Sequence, residues 1–152
     1  MPRVEETIAI DQPPEKVFEF VTTPENDHLW SSTAVERRRE SQEPIGVGSR
    51  IRAVDKFLGR RVESVFEITE HEPNARSSIR LAGPVEGRGS YILEPLDGRT
   101  LFRWVLEVDP GFGGLYLGRL TDPLVTILFR RRLRFDLRKL RDALEADLQP
   151  PG

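Results

Sequence analysis

The stretch Asp122–Leu148, DPLVTILFRRRLRFDLRKLRDALEADL, decides the architecture. Its residues Val125, Phe129, Leu133, Leu137, Leu140, Leu144 and Leu148 recur at steps of three and four, the stripe of an amphipathic helix. From Leu137 onward there is one apolar stripe with a charged back. Between Leu124 and Phe135 the pattern is double, because Leu124, Leu128 and Phe135 lie on the side opposite Phe129 and Leu133. One of these two directions is expected to cover a space over the sheet. The other needs its own cover, either Leu115–Leu120 folding back or a second subunit. Everything before the helix reads mainly as strands, so the fold class is α+β, a curved antiparallel sheet closing around one long C-terminal helix.

Working back from the helix, Pro110-Gly111-Phe112-Gly113-Gly114 reads as a flexible hinge, and Leu115–Leu120 as a further helical piece set off by Pro123. The strand before it, Thr100–Val108, carries Phe102, Trp104, Leu106 and Val108 on one face, the most apolar face in the chain. Strands are also expected at Gly87–Glu94, Ser77–Leu81, Arg61–His71, Ser49–Leu58, Thr33–Ser41 and Val4–Ile10, about seven in all. Turn chemistry separates them at Pro95-Leu96-Asp97-Gly98, Gly83-Pro84, His71-Glu72-Pro73-Asn74 and Gly59-Arg60. In the first strand Val4, Glu6, Ile8 and Ile10 share a side, and Glu6 is the misfit. Two short helices follow that strand. Pro13 and Pro14 open the first, with Val17, Phe20 and Val21 as its apolar face. Thr23-Pro24-Glu25-Asn26 opens the second with a Thr cap, and it runs to about Trp30.

A chain of 152 residues with 38% hydrophobic and 32% charged residues fits one globular domain spanning residues 1–152. The net charge of -2 supplies no bulk attraction to nucleic acid. With no cysteine and two histidines, disulfides, thiolate metal sites and a cysteine nucleophile are excluded, and no metal site is expected. The absence of cysteine is compatible with the cytoplasm. The amino terminus lacks the apolar core of a secretory signal, and the longest apolar run, Pro123–Phe129, is far below the ~20 residues of a membrane span. No nucleophile elbow or phosphate-binding loop is present, and the 111–116 glycines fail the dinucleotide fingerprint.

Several pieces, in order, resemble the polyketide cyclase/dehydrase (SRPBCC) group of the helix-grip superfamily that also holds START domains and the birch-pollen allergen. Pro13-Pro14-Glu15-Lys16-Val17-Phe18-Glu19-Phe20-Val21 is similar to the opening P-x-x-V-F-x-x-hydrophobic segment, and Trp30 stands where a tryptophan usually follows the second short helix. Val47-Gly48-Ser49-Arg50 matches the start of a strand, Tyr91–Pro95 with Asp97–Thr100 an L-E-P…G-x-T hairpin, and Asp136–Glu145 the D-L-x-x-L-K-x-x-L-E ending. The resemblance implies an internal pocket for an apolar or amphipathic small molecule between sheet and helix, and no single chemistry. Its expected lining is Trp30, Ile51, Phe57, Phe66, Tyr91, Phe102, Trp104, Leu106, Phe129 and Leu133, apolar with a few polar groups.

Three residues are candidates for moving protons. Asp55 shares a face with Ile51, Ala53 and Phe57, where an acid would be disfavoured in its charged form; alternatively it pairs with Arg52, Arg61 or Arg103. His28 lies near Trp30 at the expected pocket edge, or is a surface residue of the short helix. Tyr91 adds a hydroxyl that needs a partner if buried. The run Arg130-Arg131-Arg132-Leu133-Arg134 reads as a solvated face neutralised by acidic sheet edges, with an anionic head group, an acidic partner or nucleic acid as the sharper readings. The leading expectation is binding of a small hydrophobic, aromatic or lipid-like molecule, without cofactor. Alternatives are a cyclase- or dehydratase-type enzyme acting on a bound molecule, and an interaction protein using the terminal helix as a homodimer or partner surface.

Overall fold

The computed structural model describes residues 3–57, 59–83, 86–108 and 123–146, with the side chains at 57, 108 and 123–126 excepted. The expected hinge at Gly111–Gly114, the piece Leu115–Leu120 and the side chains of Leu124, Val125 and Leu148 lie outside the described residues.

Seven strands form one antiparallel sheet: β1 (Arg3–Ile10), β2 (Ala34–Arg39), β3 (Arg50–Phe57), β4 (Arg60–Glu72), β5 (Arg76–Ala82), β6 (Gly87–Leu96) and β7 (Arg99–Val108). Their order is β1-β7-β6-β5-β4-β3-β2, so only the first strand is moved, to pair with the last. Consecutive hairpins account for the rest. A two-residue turn joins β6 to β7, where Leu96 pairs with Arg99 and both Asp97 (φ 49) and Gly98 (φ 80) are left-handed. That is the two-residue turn whose twist matches the strands, and Asp-Gly is the dipeptide that tolerates it. Register shifts between Ile68 and Glu70 in β4 and between Ala34 and Glu36 in β2 bend the sheet towards its concave side.

α1 (Pro14–Val21) starts as its prolines dictate, with the Pro13 carbonyl accepting from Lys16 and Val17. Phe18, with Val17 and Val21, is its buried face, and Phe20 packs only at the margin, one correction to the helical phase read from sequence. The second short helix, Pro24–Leu29, is a 3₁₀ helix. Thr23 stands at its N-cap, but its side chain makes no capping bond; the hydroxyls of Thr22 and Thr23 instead donate back to the carbonyls of Phe18 and Glu19 and close α1.

α2 (Pro123–Ala146) lies across the concave face. Leu133, Leu137, Leu140 and Leu144 are buried as the stripe predicts. The last three join Ile10, Val17, Phe18, Val21, Trp30, Leu93 and Phe102 in the main core. The helix also bridges the sheet's two edge regions. Arg134 Nε donates to Glu6 Oε1 on β1 at 3.1 Å, which explains the misfit acid, while the Ser32 N–H, just before β2, donates to Asp136 Oδ1 at 3.1 Å. Its last turn is tied down by Gln12 Nε2, which donates to the Leu144 carbonyl at 2.8 Å, one of the acceptors a helix end leaves unpaired. Ile127, Leu128 and Phe135 face outward, the latter two 56% and 55% exposed.

Candidate functional site

The core fills only one end of the space under α2. At the other end, towards the amino-terminal half of the helix, is a cavity of about 190 Å³. Its floor is the concave face of the sheet, with Asp55, Val62, Ser64, Phe66, Ser77, Ile79, Leu81, Gly89, Tyr91, Trp104 and Leu106. Phe129, Arg132, Leu133 and Asp136 of α2 roof it, and Asp27, Trp30, Ser31, Thr33 and Arg37 close one end.

Of the residues expected to line a pocket, Trp30, Phe66, Tyr91, Trp104, Leu106, Phe129 and Leu133 border this cavity. Phe102 does not, because the inward face of β7 passes from cavity to core along its length and Phe102 falls in the core. Ile51 is buried opposite Phe66 on β3 without reaching the cavity. The Phe57 side chain lies outside the described residues. Trp30, Tyr91 and Trp104 form an aromatic wall, with ring centroids 5.3 Å apart for the two indoles and 5.9 and 6.1 Å from Tyr91 to each. Edge-to-face contacts of this kind hold rings in place.

The polar end is built around Arg37. Its Nε donates to Asp27 Oδ2 at 2.9 Å, and its two terminal nitrogens donate to Asp55 at 3.0 and 3.2 Å. The carbonyls of Glu36 and Val54 also accept from Nη1, and the guanidinium carbon sits 4.9 Å from the centroid of the Phe66 ring. Thr33 Oγ1 donates to Asp55 Oδ1 at 2.9 Å. Asp55 thus faces inward, as its strand phase predicts, but its partner is Arg37 rather than Arg52, Arg61 or Arg103. Arg52 on β3 itself and Arg61, opposite Lys56, alternate to the other face, and Arg103 lies four strands away on β7, whereas the register sets Arg37 opposite Ala53 and so on the inward face. Burial disfavours the charge on Arg37, yet Asp55 and Asp27 outweigh that and raise its pKa.

The sequence does not single out Asp27, which passes there for an ordinary acidic residue of a short helix. Burial pushes its carboxyl up to about 6, against the pull of Arg37. Asp136 is also raised by burial, partly offset by its hydrogen bond from Ser32. Burial pushes the Tyr91 hydroxyl far above the phenol range, with a further contribution from Asp27. His28 stands exposed on the 3₁₀ helix and is not among the described residues that border the cavity. Of the arginine run, Arg132 roofs the cavity and Arg134 pairs with Glu6. Among the described residues no group of three or more His, Asp or Glu side chains is placed to hold a metal, and no helix is long and apolar enough to cross a membrane.

A seven-stranded antiparallel sheet gripping a long terminal helix, with short helices after the first strand, is the helix-grip fold. The chain belongs to the family described as polyketide cyclase / dehydrase and lipid transport, whose pattern it matches over residues 1–145. Solved structures agree on the fold. TTHA0849 from Thermus thermophilus is similar with a TM-score of 0.79 at 20% identity, over 97% of this chain and 100% of that one. The Zhui aromatase/cyclase from Streptomyces sp. R1128 is similar with a TM-score of 0.76 at 14% identity, over 99% and 97%. Ara h 8.0201 is similar with a TM-score of 0.68 at 12% identity, over 95% and 97%. Comparison with curated proteins returned no match.

Proposed function

We propose that the protein binds a small apolar or aromatic molecule in the cavity between the sheet and α2. The observation that carries this reading is the cavity itself: about 190 Å³ left open beside the packed core and walled largely by rings and aliphatic side chains. An apolar cavity of ~150 Å³ already takes up a benzene ring. The family description, which joins cyclases with lipid transport, supports a hydrophobic ligand. Native mass spectrometry of the purified protein before and after organic extraction tests it. A small molecule that leaves on extraction is the expected result; a bare protein that takes up no ring compound would rule the reading out.

A cyclase- or dehydratase-type reaction on the bound molecule is the second reading. One similar structure is named an aromatase/cyclase, and Asp27 supplies a cavity carboxyl whose pKa of about 6 suits proton exchange near neutrality. Tyr91 suits only a donor role, because burial opposes its ionisation. If a turnover is found, full activity in Asp27→Asn would remove that residue from the mechanism.

The outward Ile127, Leu128 and Phe135 support a third reading, a homodimer through α2, and a similar structure from Colwellia psychrerythraea is described as a dimer. Sedimentation velocity of the native chain and of Phe135→Arg distinguishes the outcomes. A dimer that dissociates on substitution is expected, and a monomer at every concentration would exclude it.

A further inference from the structure

We propose that the molecule taken by this cavity carries a protonated amine on its ring-bearing body, with the ammonium seated against the carboxylate of Asp27 at the Arg37 end. This deepens the binding reading above and rests on it. Among the described residues three carboxylates border the cavity, Asp27, Asp55 and Asp136, against two guanidiniums, Arg37 and Arg132, an excess of one negative charge when all are ionised.

Hydrogen bonding sharpens the sign. Nε and Nη1 of Arg37 are committed to Asp27, Asp55 and backbone carbonyls, and Nη2 gives one of its two N–H groups to Asp55, so no two-pronged fork is left for a ligand carboxylate. Among the described residues the Asp27 carboxylate accepts only from Arg37, through Oδ2, and that of Asp136 only from Ser32, through Oδ1. Each keeps an oxygen able to accept, and a buried carboxylate gains most from a charged donor. The ring wall favours the same sign, since aromatic faces attract cations and Phe66 already holds the Arg37 guanidinium over its face. Among the described residues the buried indole Nε1 of Trp30, on the same cavity, has no hydrogen-bond partner, a donor that an acceptor atom on the ligand would satisfy.

The test is calorimetric titration with three probes of one ring system: naphthylmethylamine, naphthylmethanol and naphthoate. At neutral pH the amine is expected to bind roughly tenfold or more tightly than the alcohol, with the acid weakest. Asp27→Asn should reduce the advantage of the amine over the alcohol roughly tenfold, whatever it does to both. A pH series on the unaltered protein tests the same point without a substitution. The amine preference should shrink as pH falls through about 6, where Asp27, facing Arg37 and Asp55 with Glu25, Asp136 and Arg132 nearby, takes up its proton. An alcohol or acid that binds as tightly as the amine overturns the inference and leaves the binding reading standing. Failure of all three probes to bind overturns both.

Discussion

Arg37 grips the carboxylate of Asp55 with both terminal nitrogens, at 3.0 and 3.2 Å, while its third nitrogen holds Asp27 at 2.9 Å. One buried cation therefore joins the 3₁₀ helix, β2 and β3 into the closed end of the cavity. Ion pairs this far from water are strong only in their full geometry, because the desolvation of three charges is recovered by mutual contact.

Removing the cation should accordingly cost much more than removing a surface arginine. Arg37→Met leaves the largely buried Asp27 and Asp55 carboxylates without their cation, Asp55 keeping only Thr33, and a loss of about 3–5 kcal/mol is expected in urea unfolding. Adding Asp27→Asn and Asp55→Asn to that variant should restore part of the loss. A loss below about 1 kcal/mol, the range of exposed pairs, would show that the fold does not depend on the cluster.

The acid of Asp27 should be visible directly. Its carboxyl carbon is expected to titrate with a midpoint of about 6, because burial outweighs Arg37. A folded-state pKa above the ordinary 3.8 means that the native state binds the proton more tightly than the unfolded chain. The contribution of Asp27 to stability is therefore full below about pH 4 and declines as pH rises to about 6. In Asp27→Asn that decline is missing, so the stability of the variant relative to the native chain should rise across this window. A midpoint near 4 by carbon-detected NMR would contradict the assignment.

Two leucines two turns apart on the same face of α2 should respond differently. Leu140 is fully enclosed by core, and Leu140→Ala should cost about 2–5 kcal/mol. Leu133 borders the cavity, so truncation enlarges a space that already exists and breaks fewer contacts. Leu133→Ala is expected at the low end of that range or below it. Equal losses in denaturant titrations would mean that Leu133 is packed as core.

Gly89 offers a way to fill the cavity without disturbing the sheet. A Cβ added there meets Ile79 at 3.5 Å and Leu106 at 3.8 Å, ordinary contact, and both neighbours border the cavity. Valine suits a strand position, so Gly89→Val should leave stability unchanged or raise it by up to about 1 kcal/mol. Uptake of a ring compound should fall at least several-fold. Undiminished uptake by a folded variant would place the ligand elsewhere.

Much of the architecture is written in local pattern. The leucine stripe from Leu133 to Leu144, the prolines that open α1, the alternation along β1, β4 and β7 and the Asp97-Gly98 turn each state their own structure, because they depend on neighbours within a few residues. The double character of the first half of α2 is equally local: Phe129 and Leu133 face the cavity, and Leu128 and Phe135 face out. The inward direction of Asp55 also follows from alternation alone.

What only the tertiary structure decided is which charges meet. Glu36, Arg37, Arg38 and Arg39 are a run of charge in which no member stands out, until the register of β2 on β3 turns Arg37 inward. Asp27 looks like any acid of a short helix until the bent sheet and α2 enclose it. The same closure separates Phe102, in the core, from Trp104, two residues along the same strand and on the cavity. Apolar periodicity says which face of an element leaves water, since the hydrophobic effect is non-directional and acts through burial. The pairing of buried charges and the boundary between core and cavity depend on distances between segments far apart in the chain, and these exist only once the sheet has curved around its helix.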